Sequence, residues 1–171
     1  MFNFFKKKET VLAKRLAKLQ LETLVGSKSN KVKTVAIITT EEISQKYNLQ
    51  SLVEKSLAIK NTKIYSFRKF DKQNEISTIH FSEKDLAKSG KVVDEDFNTF
   101  LNKPFDLLIG FFDANHLYLE YATTKSKATY KVGFANVNAD LFELEIHSKA
   151  DNTSEFLSEL KKYLQILDKL E

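Results

Sequence analysis

Apolar positions along the chain alternate between the 3.6-residue spacing of helices and the short, dense runs of strands. Strands are predicted at 32–39, 62–70, 76–81, 105–112, 129–135 and 141–147. Helices are predicted at 8–25, at 41–60 with a bend near Asn48, briefly after Ser82, and at 94–101, 113–123 and 153–171. Because strands alternate with helices, we predict βαβ crossovers and a mostly parallel sheet covered on both faces.

The predicted fold class is therefore α/β: a single three-layer α/β/α domain, loosely Rossmann-like, preceded by a basic amphipathic helix. We expect a helical arm over residues 1–30 and the α/β domain over 31–171. The short run at 76–81 and the tight connection at 135–141 leave room for local antiparallel pairing. One domain is the ordinary organisation for a chain of 171 residues.

The first helix is predicted to have two faces of different chemistry. Its apolar stripe consists of Phe5, Leu12, Leu16 and Leu19. Its opposite face carries Lys7, Lys14, Arg15 and Lys18. The apolar stripe predicts docking against the domain, which would turn the basic residues outwards.

Positive charge is concentrated at the front of the chain. Residues 1–34 hold nine Lys or Arg and two Glu, a net charge of +7, whereas the whole chain carries +4. The difference, −3, is the net charge of residues 35–171. Such asymmetry is typical of chains that bind a polyanion, either nucleic acid or an anionic membrane surface. The predicted polyanion-binding residues are Lys6, Lys7, Lys8, Lys14, Arg15, Lys18, Lys28 and Lys31.

Three interpretations of the arm are open. The basic face can simply be solvated while the leucines dock, it can bind RNA or a ribosomal particle through phosphate contacts, or it can meet a membrane. In the membrane interpretation Phe2, Phe4 and Phe5 enter the bilayer interface while Lys6–Lys8 contact anionic headgroups. We favour RNA, because Lys28, Lys31 and Lys33 extend the positive charge well past the aromatic tip.

Most catalytic and cofactor chemistry finds no support in the sequence. The chain has no Cys, which excludes disulfides, thiolate metal sites and Cys nucleophiles. No glycine-rich phosphate loop follows the first strand, where Thr39, Thr40, Glu41 and Glu42 stand instead. We therefore expect no catalytic residue, no metal site, no cofactor and no motif that reads a DNA sequence.

Localisation follows from two further absences. The opening Phe residues precede Lys6–Lys8, the reverse of the charge order in a signal peptide. No apolar stretch approaches the roughly 18 residues of a transmembrane span. The sequence thus predicts a soluble, cytoplasmic protein.

An alternative site can be drawn where parallel strands end, the edge at which open α/β sheets bind ligands. Its predicted members are Thr39, Thr40, Asp113, Asn115, His116, Asn136 and Asn138. His116 is the best candidate for an acid–base residue there, with Asp113 orienting it. Alternatively, Asp113 caps a helix and His116 lies in its first turn. A small-molecule-binding or enzymatic α/β domain is the function that this crevice would serve.

The stretch from Phe105-Asp106-Leu107-Leu108-Ile109 to Ser126-Lys127-Ala128-Thr129-Tyr130-Lys131-Val132-Gly133 resembles a family of small uncharacterised proteins from Bacteroidota, carried as a domain of unknown function. The resemblance extends over most of the chain, including the basic helix. It implies a cytoplasmic bacterial protein and an α/β fold, and it supplies no functional residues. The function predicted from the residues is a non-enzymatic accessory module that docks to RNA or a ribosomal particle.

Overall fold

The structure is a computed structural model of the chain; it describes residues 2–22 and 31–171, with the side chains of 5–19 and 31–171. The helices are α1 (Phe2–Glu22), α2 (Glu41–Lys46), α3 (Leu49–Leu57), α4 (Glu95–Asn102), α5 (Leu117–Lys125) and α6 (Thr153–Ile166). The strands are β1 (Thr34–Thr40), β2 (Asn61–Phe67), β3 (His80–Phe81), β4 (Leu107–Phe111), β5 (Tyr130–Phe134) and β6 (Leu144–Ile146). A 3₁₀ turn, Glu83–Asp85, follows the predicted cap Ser82.

The strands form one sheet in the order β3-β2-β1-β4-β5-β6, and every pair is parallel. The expectation of local antiparallel pairing at 76–81 and 135–141 is therefore wrong. β3 is shorter than predicted because residues 75–79 fold into a loop, in which Arg68 Nη2 donates to the Glu75 carbonyl at 2.7 Å. β6 begins later than predicted because the Glu143 carboxylate accepts a hydrogen bond from Lys131 N at 2.7 Å. That amide would otherwise extend the hydrogen-bond ladder between β5 and β6.

Helices cover both faces of the sheet and give the predicted three-layer α/β/α architecture. α1 and α4 pack against α5, whereas α3 packs against α6. Since parallel crossovers are right-handed, α1, α4 and α5 lie on one face, with α2, α3 and α6 on the other. The predicted long helix at 41–60 is two helices, and Asn48 caps the second by accepting a hydrogen bond from Ser51 N at 3.2 Å.

The core is built from dense central strands and aromatic side chains. β1 is buried along its whole middle, as its run of β-branched residues predicts. Phe81 and Phe97 stack with ring centroids 4.1 Å apart on one side of the sheet. Phe134 of β5 and Phe156 of α6 meet with their ring centroids 4.4 Å apart. This packing holds the strands in place, and the predicted site residues lie at the ends of those strands.

The first helix docks on this core. Leu12 is fully buried and Leu16 is nearly so, while Leu19 is partly buried beside them. α1 lies against α5, the helix that follows β4. The predicted apolar stripe is confirmed. The boundary between an arm at 1–30 and a domain at 31–171 stays a prediction.

Candidate functional site

The outer side of α1 presents a stripe of positive charge. Because the leucines point into the core, Lys7, Lys14, Arg15 and Lys18 are all exposed. We call these four residues the basic face. Lys6, which precedes the first buried leucine by nearly two turns, is exposed as well. The stripe follows directly from the 3.6-residue period of the helix.

The basic face continues onto the neighbouring loop and α5. The Arg15 side chain passes the loop at Gly90, where its Cδ lies 3.5 Å from the place of a Cβ. The Tyr121 hydroxyl donates to the Gly90 carbonyl at 3.1 Å, and the Lys125 ammonium lies 6.0 Å from the Tyr121 ring. Residues far apart in sequence thus add a further cation beside Arg15. Sequence reasoning missed this extension, since it depends on how α1 docks.

Two of the predicted polyanion-binding residues, Lys8 and Lys31, do not join the basic face. Lys8 is buried, and its ammonium donates to the Glu83 carbonyl. Burial lowers its pKa, an effect that the nearby Glu83 carboxylate opposes. Lys31 is engaged with Asp168 across 2.7 Å. Lys28 lies outside the described residues.

Thr39 and Thr40 end β1 and have structural hydrogen bonds. The Thr39 hydroxyl, fully buried, donates to the Phe111 carbonyl at 2.7 Å and ties β1 to β4. The Thr40 hydroxyl accepts from Ile43 N at 3.2 Å and caps α2. Both side chains therefore lie at the predicted edge, with their hydroxyls used by the fold.

The predicted helix cap at Asp113 is corrected by the structure. α5 begins at Leu117, and its cap is His116, whose Nδ1 accepts a hydrogen bond from Leu119 N at 3.3 Å. The Asp113 carboxylate instead accepts from Ala150 N at 2.8 Å, so it holds the loop before α6. No hydrogen bond joins Asp113 to His116 in the described part of the chain.

The remaining crevice residues divide into two groups. Asn136 donates to the Asp113 carbonyl at 3.4 Å, close to the end of β4. The buried carboxylate of Glu120 accepts from His116 N at 2.9 Å and from Asn138 Nδ2 at 3.2 Å. Asn115 is exposed and makes no hydrogen bond in the described structure. Glu120, which anchors the second group, gave no signal in the sequence beyond being an acid in a helix.

The chain itself covers the carboxyl ends of β1 and β4, two paired strands whose following connections run in opposite directions across the sheet. Ala150 is buried against Asp113, and the next residue, Asp151, lies 3.3 Å from Lys46 Nζ. The Tyr47 hydroxyl also donates to the Asp151 carbonyl at 3.4 Å. This is the switch point of the strand order, where ligands of doubly wound sheets bind. Here it is bridged by the loop that leads into α6.

A pocket of about 520 Å³ opens beside the carboxyl end of β2 and the amino end of α5, under the first turns of α1. We call it the aromatic pocket, after the rings that line it: Phe5, Phe67, His116 and Tyr118. Four charged residues complete the lining: Lys6, Glu9, Lys69 and Glu83. Sequence analysis assigned His116 to a ligand crevice and Phe5 and Lys6 to the helical arm. It did not bring them together, because α1 closes the pocket through tertiary packing.

The rings of the aromatic pocket are held by one another. Phe67 and Tyr118 stack with centroids 5.3 Å apart and planes 10° from parallel, and the His116 ring meets Phe67 edge-on at 4.5 Å. Burial raises the pKa of Tyr118 to about 12, with the Glu9 carboxylate adding to the effect. Burial also lowers the pKa of His116. The pocket therefore combines neutral aromatic walls with charges at its rim.

A third polar group joins the ends of β1, β2 and β3. Glu41 Oε1 lies 3.9 Å from Arg68 Nη1 and 3.8 Å from His80 Nε2. Burial lowers the pKa of His80, and the adjacent guanidinium acts in the same direction. The His80 Nδ1 also pairs with the Ser77 hydroxyl at 2.7 Å. Since its members satisfy one another, we interpret this cluster as a structural link between loops.

The described residues hold neither a metal-binding cluster nor a membrane-spanning helix. They contain no group of three or more His, Asp or Glu that could hold a metal ion. No helix in the described ranges is both long and apolar enough to cross a membrane.

Comparison with known proteins places the chain in one family. A family model described as "Family of unknown function (DUF6913)" matches residues 8–167. No curated protein and no solved structure gave a match. The matched range runs from the first turns of α1 to the end of α6 and takes in every strand of the sheet. The chain therefore belongs to this family of unknown function.

Proposed function

We propose that the protein is a non-enzymatic binding module that docks to a polyanionic assembly, RNA or a ribosomal particle, through the basic face of α1. One observation carries the proposal: α1 is anchored by buried leucines, so that Lys7, Lys14, Arg15 and Lys18 project together from a fixed support. A bacterial, cytoplasmic setting, as in Bacteroidota, belongs to the same proposal.

Anchoring matters because it removes part of the entropy that a flexible basic tail loses on binding. Lysines at 7, 14 and 18 lie along one side of a helix that rises about 1.5 Å per residue. The distance from Lys7 to Lys18 along the axis is thus on the order of 16 Å, enough to follow several phosphates of a nucleic acid. Lys125 widens the positive surface beside Arg15.

RNA is favoured over a membrane by the position of Phe5. Its side chain is half-buried and lines the aromatic pocket, facing the domain. A membrane anchor needs its aromatic tip directed away from the domain and into the lipid interface. Phe5 also lies about one turn before Lys8 and about two turns before Leu12, both of which are buried in the docked helix.

The proposal is tested by reversing charge on the basic face. We expect the triple variant Lys14→Glu, Arg15→Glu, Lys18→Glu to lose binding to single-stranded RNA, measured by fluorescence anisotropy over a range of salt concentrations. The log–log salt slope should fall by about 2, since each single-strand phosphate contact contributes about 0.7. Circular dichroism melts would verify that the variant is folded.

The matched control reverses three exposed lysines on or beside the helices of the opposite face, Lys55, Lys60 and Lys161. It changes the net charge equally, so it should retain most of the RNA affinity and nearly the full salt slope. Equal losses in both variants would mean that only net charge matters and would overturn the assignment to α1. Binding of the wild type to anionic vesicles but not to RNA would replace the proposal with the membrane interpretation.

A further inference from the structure

The aromatic pocket has the size and lining of a site for a flat ring. At about 520 Å³ it falls within the usual range of small-ligand pockets. Phe5, Phe67 and His116 are each half-buried, so part of each ring faces the pocket. Tyr118, almost fully buried, forms the wall behind Phe67. A planar heteroaromatic group inserted here would stack on rings that are already fixed.

His116 supplies a directional hydrogen-bond donor to this pocket. Its Nδ1 accepts the Leu119 amide at 3.3 Å, which places the proton of the neutral ring on Nε2. Burial lowers the pKa of His116, so the ring is neutral at ordinary pH. His116, which lines the pocket, thus carries one N–H that can be donated to an acceptor on the edge of a ring.

Charge at the rim argues for a neutral ring rather than for an ionised one. Two lysines and two glutamates line the pocket, so their formal charges cancel. Glu83 accepts the Phe70 amide at 3.0 Å, and Glu9 accepts the Tyr118 hydroxyl at 3.5 Å. The Lys69 side chain, which is exposed, makes no hydrogen bond or ion pair in the described structure. A neutral ring with a phosphate attached outside the pocket would satisfy both the walls and Lys69.

The pocket lies beside the amino end of the basic face. Phe5 and Lys6 line it, and Lys7 begins the stripe of positive charge that runs along α1. A strand whose phosphates follow that stripe would have its bases available at the amino end of the helix. Stacking of unpaired bases on aromatic side chains is the usual companion of phosphate contacts in single-strand recognition.

From these features we propose that the aromatic pocket receives one unpaired nucleobase of the bound nucleic acid, stacked on Phe67 and Phe5 and hydrogen-bonded by His116 Nε2. This inference rests on the proposed function, and it names the part of the nucleic acid that is recognised. The protein should therefore bind single strands or loops more tightly than uniform duplex, because paired bases cannot enter the pocket.

The test compares two strands of about ten nucleotides, one of RNA containing a single 2-aminopurine and one with the same sugar–phosphate backbone but no bases. We expect the full-length protein to bind the base-bearing strand about 5- to 100-fold more tightly, and the 2-aminopurine fluorescence to change on binding. Phe67→Leu should remove most of this preference while leaving affinity for the baseless strand unchanged. His116→Asn, which keeps a capping oxygen, should weaken base binding about 2- to 10-fold.

Tyr163→Leu is the matched control, an exposed aromatic residue of α6 on the opposite face, and should bind like the wild type. Equal affinity of the wild type for both strands would overturn the pocket inference and leave the polyanion proposal standing. Failure to bind either strand would overturn the proposed function and the inference with it. A base preference that survives in both Phe67→Leu and His116→Asn would place the base elsewhere and also overturn the inference.

Discussion

The ring of Phe142 occupies the space that any side chain at Gly133 would need. A Cβ built on Gly133 would overlap three carbons of that ring. Gly110, the partner of Gly133 in the β4–β5 register, is covered by the same ring, and its Cβ would lie 2.6 Å from two ring carbons. Neither glycine has a positive φ, so both are required for space rather than for backbone conformation.

Gly133→Ala should therefore destabilise the protein by about 1–3 kcal/mol, the usual effect of overpacking a filled site. Urea denaturation followed by circular dichroism would measure the change. In the double variant with Phe142→Leu, the smaller side chain should relieve the overlap, so that the two effects are less than additive. Full additivity would mean that the destabilisation by Gly133→Ala does not arise from overlap with the Phe142 ring.

Capping of α5 provides a second prediction. His116→Ala removes the acceptor for Leu119 N and should lower the free energy of unfolding by about 0.5–2 kcal/mol. His116→Asn supplies another capping oxygen and should be close to neutral. If the Asn variant were as unstable as the Ala variant in thermal melts, the imidazole ring packed on Phe67 would be the stabilising feature and the cap would be minor.

Much of the fold could be predicted because periodicity is local. The β-branched run of β1 and the leucine spacing of α1 each determine an element from neighbouring residues alone. The cap of α5 could not be assigned this way, because Asp113 is an excellent capping residue in isolation and is removed from that role by a distant amide, Ala150 N. The burial of Lys8 and the position of Phe5 in the aromatic pocket likewise depend on the residues against which α1 packs.

Docking of α1 leads to a third prediction. Leu12→Ala leaves a void at a fully buried position and should reduce stability by about 2–5 kcal/mol. Deleting residues 1–28 should weaken the protein by a comparable amount, yet leave residues 31–171 with a cooperative melt, since the sheet and five helices remain. Replacing the exposed Lys14 by Ala serves as the control and should change stability by less than about 0.5 kcal/mol. A truncated chain without a cooperative transition would mean that α1 is part of the indispensable core.

Lys131 should make stability depend on pH in the alkaline range. Its side chain is buried in β5, donates to the Thr124 carbonyl at 3.3 Å, and burial lowers its pKa from 10.5 to about 8. Between these two values the unfolded chain binds the proton and the folded chain does not, so stability rises with pH across that window. Below about pH 8 the folded state must keep a buried ammonium, which is unfavourable.

Lys131→Met isolates this effect, because it keeps the length of the side chain and removes the charge. Near pH 7 the variant should be more stable than the wild type by about 1–3 kcal/mol, after the loss of one hydrogen bond. The difference should shrink as pH rises towards about 10, where the wild-type amine is already neutral in the folded state. Measuring the difference between the two proteins cancels other groups that titrate there, such as Tyr65, whose pKa burial raises to about 12. Urea denaturation at several pH values would show it, and a difference that stays constant with pH would mean that Lys131 is charged throughout in the folded protein.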